Sequence, residues 1–195
     1  MVMPIMTVQV ISVISTALAI SVSGFLINFI KSKGGTDIKF EQDGITLLIF
    51  RSVIPSVLIA SLLIFFSQSG KFEQPRIFFY IGLFLVLTGL MVRWIAVMSL
   101  GKAFTLKVTI LKNQNLKTDG IYKKIRHPSY TGFLMYYLGL GLIMENWICL
   151  LILTIVPFLV VLKRIKLEEL VLNNHFGDQY KSYALKTWKL VPYVF

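Results

Sequence analysis

Five long apolar stretches dominate this chain and leave few folds open to it. They run approximately from Met6 to Ile30, Gly44 to Phe66, Ile77 to Leu100, Tyr130 to Met144 and Trp147 to Leu162. A bilayer's hydrocarbon core is about 30 Å thick and an α-helix rises about 1.5 Å per residue, so a crossing takes roughly 20 mostly apolar residues. The first three stretches meet that length. The last two are shorter, and only Glu145 and Asn146 part them, which reads as a tight helical hairpin. Charged residues make up 15% of the chain, against about a quarter in soluble domains. The expectation is an all-α, polytopic integral membrane protein of five transmembrane helices, with a short cytoplasmic helix at its C-terminal side. One membrane-embedded domain covers 1–195, with three spans in 1–101 and a polar loop, the hairpin and the last helix in 102–195.

Charge sets the orientation. Lys and Arg collect in cytoplasmic loops, and sixteen of the twenty here lie in segments 31–43, 101–128 and 163 onward. Five spans place those three segments on one side, with the N-terminus outside and the C-terminus cytoplasmic. Lys71 and Arg76 alone fall on the other side. The net charge of +11 is then largely a surface for anionic lipid head groups, and no aromatic-interleaved basic patch points to nucleic acid. The segment before Ala17-Leu18-Ala19 has no Lys or Arg and the apolar run continues past it. A retained first span is expected rather than a cleaved signal. Cys149, the only cysteine, cannot form an intrachain disulfide and reads as a small buried residue. Two histidines without a cluster give no metal site.

Between the spans, Gly34-Gly35 punctuates the first polar loop. Pro55 should kink the second span unless neighbours satisfy the freed carbonyl. The long polar stretch Lys102–Ser129 contains β-branched residues around Val108-Thr109-Ile110 and turn signals at Asn113-Gln114-Asn115 and Thr118-Asp119-Gly120. An irregular or short hairpin-like segment is expected there. The fifth span should run on as a polar helix over Lys163–Asn173, break near His175-Phe176-Gly177, and be followed by a short amphipathic helix over Asp178–Lys186.

Polar chemistry concentrates at two places. The first is Tyr122-Lys123-Lys124-Ile125-Arg126-His127-Pro128-Ser129-Tyr130-Thr131-Gly132, where Pro128 suits the first turn of a helix. The N–H groups of that turn would suit a carboxylate or a ribose hydroxyl, with His127 and Tyr130 supplying flat faces. The same residues also fit a helix start capped by Ser129 and anchored at the interface by Arg126, His127 and Tyr130. The second is Arg164-Ile165-Lys166-Leu167-Glu168-Glu169-Leu170, where Arg164 and Glu168 share a helix face at i, i+4. It is either a planar fork for a carboxylate facing a cavity or an ordinary solvated juxtamembrane helix. Arg93, beside Trp94 in the third span, lies within snorkelling distance of the cytoplasmic end.

These two motifs, with Phe176-Gly177-x-x-Tyr180-x-x-Tyr183 behind them, resemble the isoprenylcysteine carboxyl methyltransferase family, and a short prokaryotic member in particular. The resemblance covers roughly Phe104 to Pro192. It implies S-adenosylmethionine as methyl donor and S-adenosylhomocysteine as product, with no metal. It assigns Gln114, Asn115, Leu116, Lys117, Tyr122, His127, Pro128, Ser129 and Tyr130 to the cofactor. Arg164 would engage the acceptor carboxylate, with Glu168 as its essential partner. The implied reaction is methyl-ester formation on the C-terminal carboxylate of a prenylated cysteine or a similar lipid-like carboxylate. The prenyl tail would arrive from the bilayer and the cofactor from the cytosol, in a protein working as a monomer among membrane lipids. Rival readings are a phospholipid N-methyltransferase, against which an acceptor-facing arginine argues, an NADPH-dependent membrane sterol-type reductase, and a non-enzymatic scaffold.

Overall fold

The computed structural model describes residues 3–32, 38–41, 45–67, 70–72, 75–105, 108–111 and 114–194. The Gly34-Gly35 punctuation and Asn113 lie outside them. Six helices follow one another: α1 (Met3–Ser32), α2 (Ile45–Ser67), α3 (Pro75–Leu100), α4 (Pro128–Ile143), α5 (Trp147–Phe176) and α6 (Asp178–Leu185). Four of them, α1, α2, α3 and α5, are long and apolar enough to cross a membrane. The 16-residue α4 is shorter than a lone crossing requires. Pro55 stands inside a continuous α2.

Helix α4 is the core of the molecule, and most of its residues are buried. Two pairs of glycines let α3 lie directly on it. A Cβ at Gly132 would stand 2.5 Å from the Gly89 carbonyl oxygen, and one at Gly139 would stand 2.6 Å from that of Gly82. Small residues in such pairs let helix backbones approach where lipid offers no hydrophobic drive between helices. Helix α5 packs on the other side of α4, with α2 against α5. The buried Cys149 thiol of α5 donates to the Ser61 carbonyl of α2 at 3.3 Å. Outward faces stay apolar. Phe25, Leu63 and Phe84 are each about two-thirds exposed (67%, 68% and 65%), a surface suited to lipid and costly in water.

Asn146 caps α5 by accepting from the Ile148 and Cys149 amides at 2.9 and 3.1 Å, the usual role of a side-chain acceptor at this position. The α4–α5 turn is tied to the α2–α3 connection through Phe72 N–H to Glu145 O and Trp147 N–H to Gly70 O, both 2.9 Å. Phe72 packs there against Trp147, with ring centroids 4.4 Å apart.

The opposite end holds the irregular structure. Strand β2 (Thr109–Leu111) lies in the polar stretch after α3, but its partner is not local. It pairs antiparallel with β1 (Ile38–Glu41), from the connection between α1 and α2. The sequence suggested a nearby hairpin, whereas the structure recruits a strand some seventy residues upstream. Gly177 ends α5 with φ +53° and ψ −125°, a conformation that favours glycine. It turns the chain into α6, whose Tyr183 and Ala184 meet Tyr122 and Arg126 just ahead of α4.

Candidate active site

At this end the first turn of α4, the last turns of α5, the 101–127 segment and α6 surround a cavity of about 1120 Å³, its open mouth included. Its walls include Phe50, Arg93, Tyr122, His127, Ser129, Tyr130, Arg164, Glu168, Tyr180 and Tyr183. Seventy-seven residues of sequence separate α3 from α6, yet the close α3–α4 contact and the turn at Gly177 bring their side chains to one space.

Arg164 is buried, at 4% exposure. Its Nε donates to the Tyr130 hydroxyl at 3.0 Å, and its guanidinium carbon lies 5.6 Å from the centre of the Phe50 ring. A buried guanidinium needs such partners, because an unpaired charge there is costly. Glu168 stands one turn further along, its carboxylate 3.8 Å from His127 Nδ1. His127 is buried between two acids. Its Nε2 lies 3.4 Å from Glu169, which also meets Arg126 Nε at 3.1 Å and Lys189 Nζ at 3.2 Å.

Arg126 also lines the cavity, and its guanidinium is engaged by protein partners rather than by the interface. Its Nη1 donates to the Ala184 carbonyl at 2.8 Å and to the Thr187 carbonyl. That fork fastens the segment behind α6 to the start of α4. The Tyr183 hydroxyl closes the same roof by donating to the Tyr122 carbonyl at 2.7 Å, and the Tyr122 hydroxyl donates to the Ala96 carbonyl at 3.2 Å. Burial raises the Tyr183 phenol to about 12 and pushes Tyr122 and Tyr180 higher still. All three remain neutral donors at physiological pH.

Of the residues the sequence singled out, Gln114, Leu116, Lys117, Tyr122, His127, Ser129, Tyr130, Arg164 and Glu168 line the cavity. Asn115 is exposed and does not line it, and Pro128 is buried at the first position of α4 behind the wall. The snorkelling expectation for Arg93 is corrected, and the contribution of α2 was not foreseen. Arg93 does not snorkel outward. It is 7% exposed, donates through Nη1 to the Ser129 carbonyl at 3.3 Å, lies over the Phe133 ring at 5.2 Å and reaches the cavity. Its charge inside an apolar run was the available signal, and it indicated a cavity rather than the interface. Leu47 and Phe50 come from α2, where the sequence offered only hydropathy. Among the described residues no group of three His, Cys, Asp or Glu is placed to hold a metal.

The arrangement fits S-adenosylmethionine in one respect that can be tested on the atoms themselves. The Tyr180 hydroxyl is buried on the wall near the Glu169 carboxylate, without a well-formed hydrogen bond among the described residues. Buried polar atoms of this kind are rare unless a ligand or water completes them. Flat aromatic faces and neutral phenols around it suit a nucleoside.

Comparison with known proteins follows the same residues. Residues 81–174 match the family described as isoprenylcysteine carboxyl methyltransferase (ICMT). A probable protein-S-isoprenylcysteine O-methyltransferase of Oryza sativa subsp. indica is 33% identical over 117 residues, 59% of this chain and 61% of the relative. Protein-S-isoprenylcysteine O-methyltransferase A of Arabidopsis thaliana is 34% identical over 115 residues, 58% of either chain. The chain thus spans about three fifths of the length of these curated relatives. A solved structure of the eukaryotic intramembrane Ras methyltransferase ICMT superposes with a TM-score of 0.65 at 26% identity, covering 72% of this chain and 52% of that one. Residues 81–174, which supply Arg93, His127, Tyr130, Arg164 and Glu168 to one cavity, are thus the part of the chain that is similar to the isoprenylcysteine carboxyl methyltransferase family.

Proposed function

We propose that this protein transfers a methyl group from S-adenosylmethionine to the carboxylate of a prenylated cysteine or a similar lipid-like acid. One observation carries the reading: Arg164, on the last turns of a long apolar helix, is bonded to Tyr130 in the same cavity as His127 and Glu168. Gln114, Leu116, Lys117, Tyr122, His127, Ser129 and Tyr130 would hold the donor, which when bound supplies an electrophilic methyl group. Asn115 and Pro128 would act through the backbone course of their turns. A carboxylate is already ionised at neutral pH, so no base is needed to activate the acceptor. Arg164 would fix the acceptor's two oxygens with its planar fork. Glu168, one turn on, would hold Arg164's orientation and balance its charge. The apolar wall from Phe50 and Leu47 excludes water. Positioning of this kind is worth several kcal/mol in bimolecular transfer.

The proposal includes the membrane arrangement. Helix α4 would be a fifth, short crossing that α3 and α5 shield from lipid, forming a hairpin with α5. The N-terminus would lie outside and the cavity would open to the cytosol, following the distribution of Lys and Arg. The protein would act as a monomer.

Calorimetric titration of the purified chain with S-adenosylhomocysteine tests the donor site. Binding is expected, and binding of NADPH in its place would overturn the reading. Methyl transfer to S-farnesyl-cysteine is expected in the natural chain and is lost in Arg164→Ala and Glu168→Ala. Undiminished activity in both variants would refute the roles given to them.

A further inference from the structure

The segment behind α6 is attached to α4 in a way the methyl-transfer reading does not use. Arg126 N–H donates to the Trp188 carbonyl at 2.8 Å, His127 N–H to that of Lys189 at 3.1 Å, and Trp188 N–H to that of Lys124 at 3.0 Å. Ile125 and Trp188 form a parallel bridge. The Thr131 hydroxyl then donates to the Leu190 carbonyl at 2.7 Å. Thr131 is the fourth residue of α4, about 4.5 Å along its axis from Pro128. Because the pairing is parallel, residues 188–190 advance in the same direction as α4, away from the cytosolic mouth. Beyond them residues 192–194 form a turn, with the Val194 N–H donating to the Val191 carbonyl at 3.2 Å, which returns Tyr193 to the side of Trp188.

The side chains on this segment do not suit water. Leu185 is 89% exposed, Tyr193 83% and Val194 76%, with Trp188 and Val191 also exposed. The Trp188 and Tyr193 rings lie 5.7 Å apart. Lys123, Lys124 and Lys186 are exposed beside them. An apolar patch containing Trp and Tyr and rimmed by cations has the composition of a membrane–water interface.

We propose that residues 185–194 are an interfacial anchor. Leu185, Trp188, Val191, Tyr193 and Val194 seat in the head-group region of the leaflet, and Lys123, Lys124 and Lys186 meet anionic head groups. Seating this segment also holds Tyr180 and Tyr183 over the cavity, because the Arg126 fork joins both parts. The inference requires only that α4 enters the bilayer at Pro128, and it is independent of the reaction.

The chain has three tryptophans, and the test uses the full chain in lipid nanodiscs with Trp94→Phe and Trp147→Phe, leaving Trp188 alone. Lipids brominated near the glycerol end should quench Trp188 about twofold more than lipids brominated near the chain end, as expected for insertion roughly 5–10 Å deep. Adding phosphatidylglycerol should increase the quenching, and Lys123→Gln with Lys124→Gln and Lys186→Gln should abolish that increase. Trp188 unquenched by either lipid, while Trp147 alone in Trp94→Phe/Trp188→Phe is quenched, would overturn the anchor. Quenching indifferent to phosphatidylglycerol in the natural lysines would overturn the head-group contact. If the doubly substituted chain fails to fold, Trp188→Phe alone must remove a shallow-quenched component from the natural chain, and its failure to do so counts equally against the proposal.

Discussion

Replacing Gly132 with alanine adds one methyl group where the α3 and α4 backbones already touch. The new Cβ would lie 2.5 Å from the Gly89 oxygen and 2.6 Å from the Arg93 nitrogen, while ordinary contact begins at 3.4 Å. Both obstacles are backbone atoms of a continuous helix, so no side chain can swing aside and the helices must separate by about 0.9 Å. Overpacking of this kind costs about 1–3 kcal/mol, and backbone obstacles place the cost in the upper part of that range. Alanine's better helix propensity returns about 1 kcal/mol. The net loss is about 1–2 kcal/mol, or roughly 2–8 °C in Tm for a chain of this size. Cys149 is the only cysteine and is fully buried, so a thiol-reactive dye reads unfolding directly. Gly24→Ala is the control, since nothing lies within 4 Å of its added Cβ, and it should melt no lower than the natural chain. The same separation would stretch the Arg93–Ser129 bond, so S-adenosylhomocysteine binding should weaken in Gly132→Ala alone. Equal melting of Gly132→Ala and the natural chain, or an equal fall in Gly24→Ala, would refute the close-packing argument.

Arg126→Lys cannot reach Glu169, Ala184 and Thr187 together. It should lose about 2–4 kcal/mol of local stability, seen as faster hydrogen exchange over residues 178–190 with that of α3 unchanged. Tyr183→Phe removes the donor to the Tyr122 carbonyl and should cost about 0.5–1.5 kcal/mol. Because the folded Tyr183 phenol sits near 12 against an ordinary value of 10, its contribution is complete below pH 10 and is lost as pH rises toward 12. Alkaline melting curves should therefore fall less steeply across that window in Tyr183→Phe. Glu145, at the α4–α5 turn, is raised by burial to about 7 despite the opposing charge of Lys71. The folded state then favours the protonated acid, so stability is highest at low pH and declines as pH rises through 7. Glu145→Gln should melt higher than the natural chain at pH 8 and alike at pH 4.5.

How much of this was legible in sequence depends on how far each residue's partner lies along the chain. The apolar runs that became α1, α2, α3 and α5 were readable because bilayer thickness demands a length that local composition supplies. The turn at Gly177 and the short helix after it were readable for a similar reason, since a glycine break and a polar repeat are local signals. Helix α4 is different. Its sixteen residues are too few for a lone crossing, and its seat depends on Gly82 and Gly89, which meet Gly139 and Gly132 from α3. The β1–β2 pairing failed for the same reason, because no local pattern in 102–129 names a strand at 38–41. Arg93 shows the consequence for the site. Judged on its own helix, its position favours snorkelling, but snorkelling assumes lipid on the facing side. Once the glycines bring α4 against α3, the group facing Arg93 is the Ser129 carbonyl, and the cheapest place for the charge is the polar cavity beyond it. The motif residues supplied the chemistry of the pocket, and the helix spacing decided which further side chains joined them.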